Sequence, residues 1–231
     1  MSNGWWVTNL IESQGMHVLV AWIFWVVLSI VLHELAHGWA AIAVGDETPR
    51  ETGHLTINPF VHMPPLAWLM FALVGITWGL MPVNPARMKG RHADALVSAA
   101  GPAMNVVLFG LAVVGYVLWV GIAGGYWTPN VSVNDEAFKN MQVFFRLGAA
   151  LNITLVLFNL IPAPPLDGSR ILASFVAPYR NFVERSMGSP LGILPFILVF
   201  WFAGRFLVPA GRIATETAIG ALLPVLVPGL K

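Results

Sequence analysis

Two histidines and a glutamate, His33, Glu34 and His37, interrupt an otherwise apolar stretch that runs from Val26 to Ala41. On a helix, residues four apart share a face, so His33 and His37 can direct imidazole nitrogens at a single ion. Glu34, beside the first histidine, can reach a water on that ion. The pattern H-E-x-x-H suits zinc chemistry, in which two neutral imidazoles hold Zn2+ and the carboxylate acts as general base toward its water. The apolar setting strengthens this reading, because a charged side chain in lipid costs about 2.5–3.5 kcal/mol on insertion scales and marks a functional site by default.

A catalytic zinc has three protein ligands and an open position, so a third ligand is required. The chain contains no cysteine, which excludes disulfides and thiolate ligands and leaves His, Asp and Glu. Asp167 is the best placed of these. It directly follows the helix-breaking run Pro162-Ala163-Pro164-Pro165 at the end of an apolar segment, in a stretch with no other acidic residue between Glu136 and Glu184. Asp46 and Glu47 lie in the turn beyond the H-E-x-x-H helix, and Glu136 lies in a loop on the opposite side. Glu184 and Glu216 remain as alternatives on later segments. His54 and His62 have no helical spacing to a partner and read as interfacial or hydrogen-bonded histidines.

The elements that must position these groups are membrane spans. Of 231 residues, 57% are hydrophobic and 10% are charged, against about 25% charged in a soluble domain. The chain is therefore an integral membrane protein whose solvent is the lipid bilayer. A formal net charge of +1 gives no sign of a nucleic-acid partner or a strongly acidic substrate. Met1 to Gln14 lacks the basic region and small-residue cleavage site of a signal peptide, so the first apolar segment is expected to stay in the mature protein. With no internal repeat and no long polar linker, residues 1–231 read as a single integral-membrane domain.

Trp5 and Trp6 read as interfacial anchors ahead of the apolar run Met16 to Val44. After a turn at Gly45 to Pro49, the alternation Leu55-Thr56-Ile57 before Asn58-Pro59 reads as a short strand or as an interfacial loop. A strand edge there could hold a substrate by main-chain pairing. Pro64 to Leu80 is apolar but short, either a thin span or a re-entrant pass that returns as extended chain. Clear spans follow at about Ala93 to Gly124, which opens with small residues and Asn105, and at about Met141 to Pro162. Another runs from about Leu191 to Val208, and Ile213 to Leu230 is a further span or an interfacial helix. The expected fold is an all-α polytopic bundle of about five to six transmembrane helices, with a short β or re-entrant element after the first. Arg87, Lys89 and Arg91, and later Arg170, Arg180 and Arg185, mark cytoplasmic ends, which places His33, Glu34, His37 and Asp167 toward the cytoplasmic side of the cell membrane.

H-E-L-A-H at 33–37, A-G-P-A-M-N at 100–105 and F-N-L-I-P-A-P-P-L-D-G at 158–168 together resemble the site-2 protease family of intramembrane zinc metalloproteases. Residues 54–65 and 78–85 resemble its short prokaryotic members without PDZ or CBS domains. The resemblance implies one Zn2+ per chain held by His33, His37 and Asp167, Glu34 as catalytic base, and Asn159 as a donor to the tetrahedral oxyanion. It also implies a substrate that is the transmembrane segment of another protein. The competing reading is a zinc-binding transporter or sensor without hydrolysis. Such a protein would call for further polar residues along a path and has no need of a base beside its first ligand.

Overall fold

The structure is a computed structural model in which residues 4–128, 131, 133–187 and 194–228 are described. All regular elements among them are helical. They are α1 (Trp6–Gln14), α2 (Met16–Ala43), α3 (Thr48–Glu51), α4 (Pro59–His62), α5 (Pro65–Val74), a 3-10 turn at Pro85–Arg87, α6 (Ala93–Ala123), α7 (Asp135–Asn159), α8 (Asp167–Phe175), α9 (Ala177–Met187) and α10 (Leu194–Leu226). Four stretches are long and apolar enough to cross a membrane: Met16–Ala43, Ala93–Ala123, Asp135–Asn159 and Val199–Leu226. The described residues thus hold four candidate spans rather than five or six.

The difference lies in two places. Pro65–Val74 is a helix of 10 residues, about 15 Å long, or half of a hydrocarbon core. The C-terminal region, read from sequence as two segments, is one helix of 33 residues that passes through Pro209. A proline inside a helix removes one hydrogen bond and clashes with the preceding turn, and packing can outweigh that cost. Here Gly211, just beyond the proline, lies so close to Thr154 and the Ala150 carbonyl of α7 that a Cβ would collide. Residues 191–193 and 229–230 of the expected segments lie outside the described residues.

α6 is the central element, packing against α2, α7, α8 and α10. The shared core gathers Trp25 of α2, Ala112, Val113, Tyr116, Val117 and Val120 of α6, Ala149 of α7 and Ile219 of α10. Trp25 fits because Gly148 has no side chain where its indole lies, and its Nε1 donates to the Phe144 carbonyl at 2.9 Å. α7 starts at an Asn134 cap whose side chain accepts from Ala137 N at 2.7 Å, with Asp135 and Glu136 in the first turn facing the positive end of the helix dipole.

Of the two readings of Leu55–Ile57, strand or loop, the structure has the loop, and residues 54–58 are irregular. Local side-chain bonds occupy the groups a sheet would need. The Thr56 carbonyl accepts from His62 Nε2 at 2.6 Å, the Thr56 hydroxyl accepts from Asn58 N at 3.2 Å, and Asn58 caps α4 through Phe60 N at 3.1 Å. Trp5 and Trp6, expected as interfacial anchors, also make specific bonds. Both indole nitrogens donate to the Ala72 carbonyl, at 2.7 and 3.0 Å, and so satisfy the C-terminal end of α5.

After α5, residues 76–84 have no regular structure and run along α2. Gly79 lies against Glu34, Met81 against Gly38, and Asn84 N donates to Asp46 Oδ2 at 2.6 Å. From Glu34 to the end of α2 is about 14 Å along the helix axis. Five residues span at most about 17 Å, so this chain is close to fully extended. Asp46 is completely buried and also accepts from Thr48 N and the Thr48 hydroxyl, at 3.1 and 2.6 Å. Burial opposes its ionisation, but these three hydrogen bonds and the Arg87 charge outweigh it and hold the carboxyl below its ordinary pKa.

Candidate active site

His33 and His37 point the same way from α2, with their Nε2 atoms 3.0 Å apart and ring planes at 83°. Each ring is tied down by its other nitrogen. His37 Nδ1 donates to the Val97 carbonyl of α6 at 2.7 Å, and because a carbonyl can only accept, the neutral ring presents a bare Nε2. His33 Nδ1 meets Asn105 Oδ1 at 2.5 Å, Asn105 Nδ2 donates to Asn152 Oδ1 at 2.9 Å, and Asn152 Nδ2 donates to the Gly148 carbonyl at 2.9 Å. Gly101 of α6 makes room, since a Cβ there would strike both Nε2 atoms.

Asp167 arrives from the opposite side at the first position of α8. The prolines end α7 and turn the chain, and Gly168 lets the two helix ends meet: a Cβ there would collide with the Leu160 carbonyl. Asp167 Oδ2 lies 3.2 Å from His33 Nε2 and Oδ1 lies 3.4 Å from His37 Nε2. The three side chains are only 12%, 11% and 15% exposed. Arg170, one turn along α8, pairs with Asp94 of α6 at 2.9 Å and fixes the helix that carries Asp167.

His33, His37 and Asp167 are the one group among the described residues whose possible ligand atoms all lie within 4.8 Å of one another. The donor set fits a divalent cation. Lone pairs of imidazole and carboxylate converge on one point, and the buried Asp167 Oδ2 has no hydrogen-bond partner. Two nitrogens and an oxygen in that arrangement suit Zn2+ with an open fourth position.

Glu34 follows His33 on the helix, and the backbone of Gly79 covers it so closely that a Cβ at 79 would overlap the carboxylate. Asn159 is the last residue of α7 and half-buried, with no hydrogen bond from its side chain among the described residues. Of the alternatives for a third ligand, Glu216 pairs with Arg146 at 3.5 Å, and Glu184 stands outside the group. Nor do His54 and His62 join it. His54 Nδ1 bonds Thr52, and His62 is wholly buried with its pKa pushed down by that burial, against the pull of the Thr56 carbonyl. Two polar residues of the site escaped the sequence reading. Asn105 was legible as an interhelical hydrogen-bonder but not as a partner of His33, and Asn152 was not singled out, although both are polar residues inside apolar spans.

The profile of peptidase family M50 matches residues 21–201. The chain belongs to peptidase family M50. It is 34% identical over 176 residues to YwhC of Bacillus subtilis (strain 168), a candidate zinc metalloprotease by name, covering 75% of this chain and 77% of that one. Against Rip2 of Mycolicibacterium smegmatis, also named as a candidate zinc metalloprotease, identity is 32% over 168 residues, covering 70% of this chain and 58% of the relative. Against sll0528 of Synechocystis, which carries the same kind of name, identity is 30% over 154 residues, covering 64% of this chain and 29% of the relative. No solved structure matches the chain significantly. His33, His37 and Asp167 are accordingly the candidate zinc site of an M50 metalloprotease, with both histidines on a candidate membrane span.

Proposed function

We propose that this M50 peptidase is one integral-membrane domain that hydrolyses peptide bonds within or near transmembrane segments of other membrane proteins. The observation that carries the reading is the convergence of His33 and His37, on a helix apolar enough to span a bilayer, with Asp167 at the start of α8, beside Glu34. In this reading His33, His37 and Asp167 hold the zinc, Glu34 is the general base and Asn159 binds the oxyanion. Bound zinc supplies a Lewis acid and a water acidic enough to attack near neutral pH.

The chain's own residues do the rest. The Glu34 carboxylate takes a proton from the attacking water and returns it to the leaving nitrogen, so that the proton count balances across the cycle. The Nδ1 contacts of His33 and His37 hold both rings with Nε2 toward Asp167, where the zinc would be held. Asn159 lies two helical turns beyond Asn152 on α7, on the same face, which favours its approach to the site. Its side-chain NH2 would donate to the developing oxyanion. A helical substrate must first unwind, because its carbonyls are engaged in intrahelical bonds.

Two features of topology belong to the same proposal. α5 and residues 76–84 form a re-entrant pass beside α2, because α5 is half a span long and the chain returns extended to the end of α2. Non-helical backbone at that depth is tolerated where protein covers it. The site faces the cytoplasmic side, since Arg87, Lys89, Arg91, Arg170, Arg180 and Arg185 cluster in the segments that adjoin the site-bearing ends of α2 and α7. The test is cleavage of a reporter membrane protein by purified enzyme. Glu34→Gln should keep its zinc and lose about 10²–10⁴-fold in cleavage, and parent-like turnover in that variant would sink the mechanism.

A further inference from the structure

Behind His33 the polar contacts form a chain through Asn105 and Asn152 to the Gly148 carbonyl. Both asparagines are 0% exposed. An amide can turn over with little change of shape, and a neutral imidazole can carry its proton on either nitrogen, so such a chain could run in either of two senses. Its far end decides. The Gly148 oxygen only accepts, so Asn152 must present its NH2 there and its oxygen to Asn105. Asn105 must then present its NH2 to Asn152 and its oxygen to His33. A proton of His33 is thereby placed on Nδ1, so the neutral ring keeps its Nε2 lone pair for the side that faces Asp167 and His37.

We infer that Asn152 and Asn105 are positioning residues that set the tautomer and ring orientation of His33. His37 obtains the same result directly, from the Val97 carbonyl. His33 has no main-chain acceptor at its Nδ1, and the sense of its proton is imported from the α7 backbone through two side chains. A packing role would make a different prediction. Leucine is close to asparagine in size, and apolar replacement of buried polar groups is often nearly neutral when both partners are removed.

The inference assumes that His33 is a metal ligand, but its decisive measurement does not need metal or turnover. Full-length protein in detergent, stripped of metal and labelled with 15N-histidine, is observed at mildly alkaline pH. His33→Gln assigns the His33 signals. The parent should show a proton on His33 Nδ1, whether or not Nε2 also carries one toward the Asp167 carboxylate. Asn152→Leu, which leaves Asn105 free to turn over, should show both tautomers, and Asn105→Leu should lose the Nδ1 preference. Asn105→Asp should keep it, since a carboxylate only accepts. Zinc affinity, measured by chelator competition, should fall by about 10–100-fold in Asn105→Leu and recover in Asn105→Asp. An unchanged His33 tautomer in both leucine variants overturns the inference, as does an affinity order in which leucine is tolerated and aspartate is not. If the leucine variants do not fold, Asn105→Asp and Asn152→Asp decide it. Both must keep Nδ1 protonated, because each retains an acceptor at the position the chain requires, and the opposite tautomer in either overturns it. Failure of the protease reading would appear in the Glu34→Gln assay and would leave these tautomers untouched.

Discussion

On one side of Glu34 stand helices α2, α6, α7 and α8, with His33, His37 and Asp167 tied through Val97, Asn105, Asn152 and Arg170. On the other lies the extended chain of residues 76–84, held by Leu80 N to the His62 carbonyl at 2.8 Å, Asn84 N to Asp46 at 2.6 Å and, beyond it, Lys89 N to the Val44 carbonyl at 2.7 Å. The first wall cannot move without separating packed helices. The second can be released by breaking a few isolated hydrogen bonds, and segments of that kind open at far lower free energy than a core. A hydrolytic site needs both, a fixed metal corner and a side that yields to a polypeptide.

The contrast can be broken first at the rigid wall. Asp167→Ala should leave purified protein nearly free of zinc and cost cleavage more than the roughly 10–100-fold lost with an outer-sphere partner. Elemental analysis checks it, and full occupancy would move the third ligand to another carboxylate. The mobile wall should respond differently. Asp46→Ala removes a buried charge that accepts three hydrogen bonds and should loosen residues 75–92 by about 1–3 kcal/mol. Zinc content should be unchanged, while limited proteolysis in that segment accelerates.

Acid tests the same tie. The folded pKa of Asp46 is depressed below its ordinary 3.8, so its contribution is fully present above that value and is lost as pH falls below it toward the folded pKa. Proteolysis of the parent in this segment should therefore rise below about pH 4. Asp46→Asn should flatten that rise, and an identical acid response in the variant would assign the effect to another group.

The rigid wall was largely legible in the sequence, because its parts announce themselves by cost. Histidines and carboxylates inside apolar helices, or at a proline break beside one, stand out against their surroundings, and helical spacing places them. Asn152 did not stand out, since a single amide in a span is compatible with many roles and only its neighbours across the bundle specify this one. That Leu55–Ile57, open in sequence between strand and loop, is a loop has a related origin. Alternation was present, but Thr56, Asn58 and His62 consume one another's hydrogen-bonding groups, which depends on a turn that periodicity does not encode. The C-terminal segments, read as two, are one helix, because contact with α7 beside Pro209 sustains it where propensity would favour a break.

The smallest expected effect concerns the hinge between the two walls. Trp5 and Trp6 both donate to the Ala72 carbonyl at the end of α5, one turn before the extended chain begins, and the Trp6 ring also covers Gly75 and packs on Phe71. Trp6→Phe keeps a ring on that surface and removes one donor, while Trp5 still satisfies the carbonyl, so the loss should fall at or below the roughly 0.5–1.5 kcal/mol of an ordinary hydrogen bond. Removing both donors leaves the carbonyl with no protein donor, so the double change should cost more than the two single changes added. The chain has no cysteine of its own, so one introduced by Thr77→Cys, where the native hydroxyl is buried, reports the opening of this segment through its alkylation rate. If the two indoles hold the loop through their shared acceptor, that rate rises little in either single variant and steeply in the double. Strictly additive rates would mean that the rings act by packing alone and that the tie at Ala72 contributes nothing to holding the chain over Glu34.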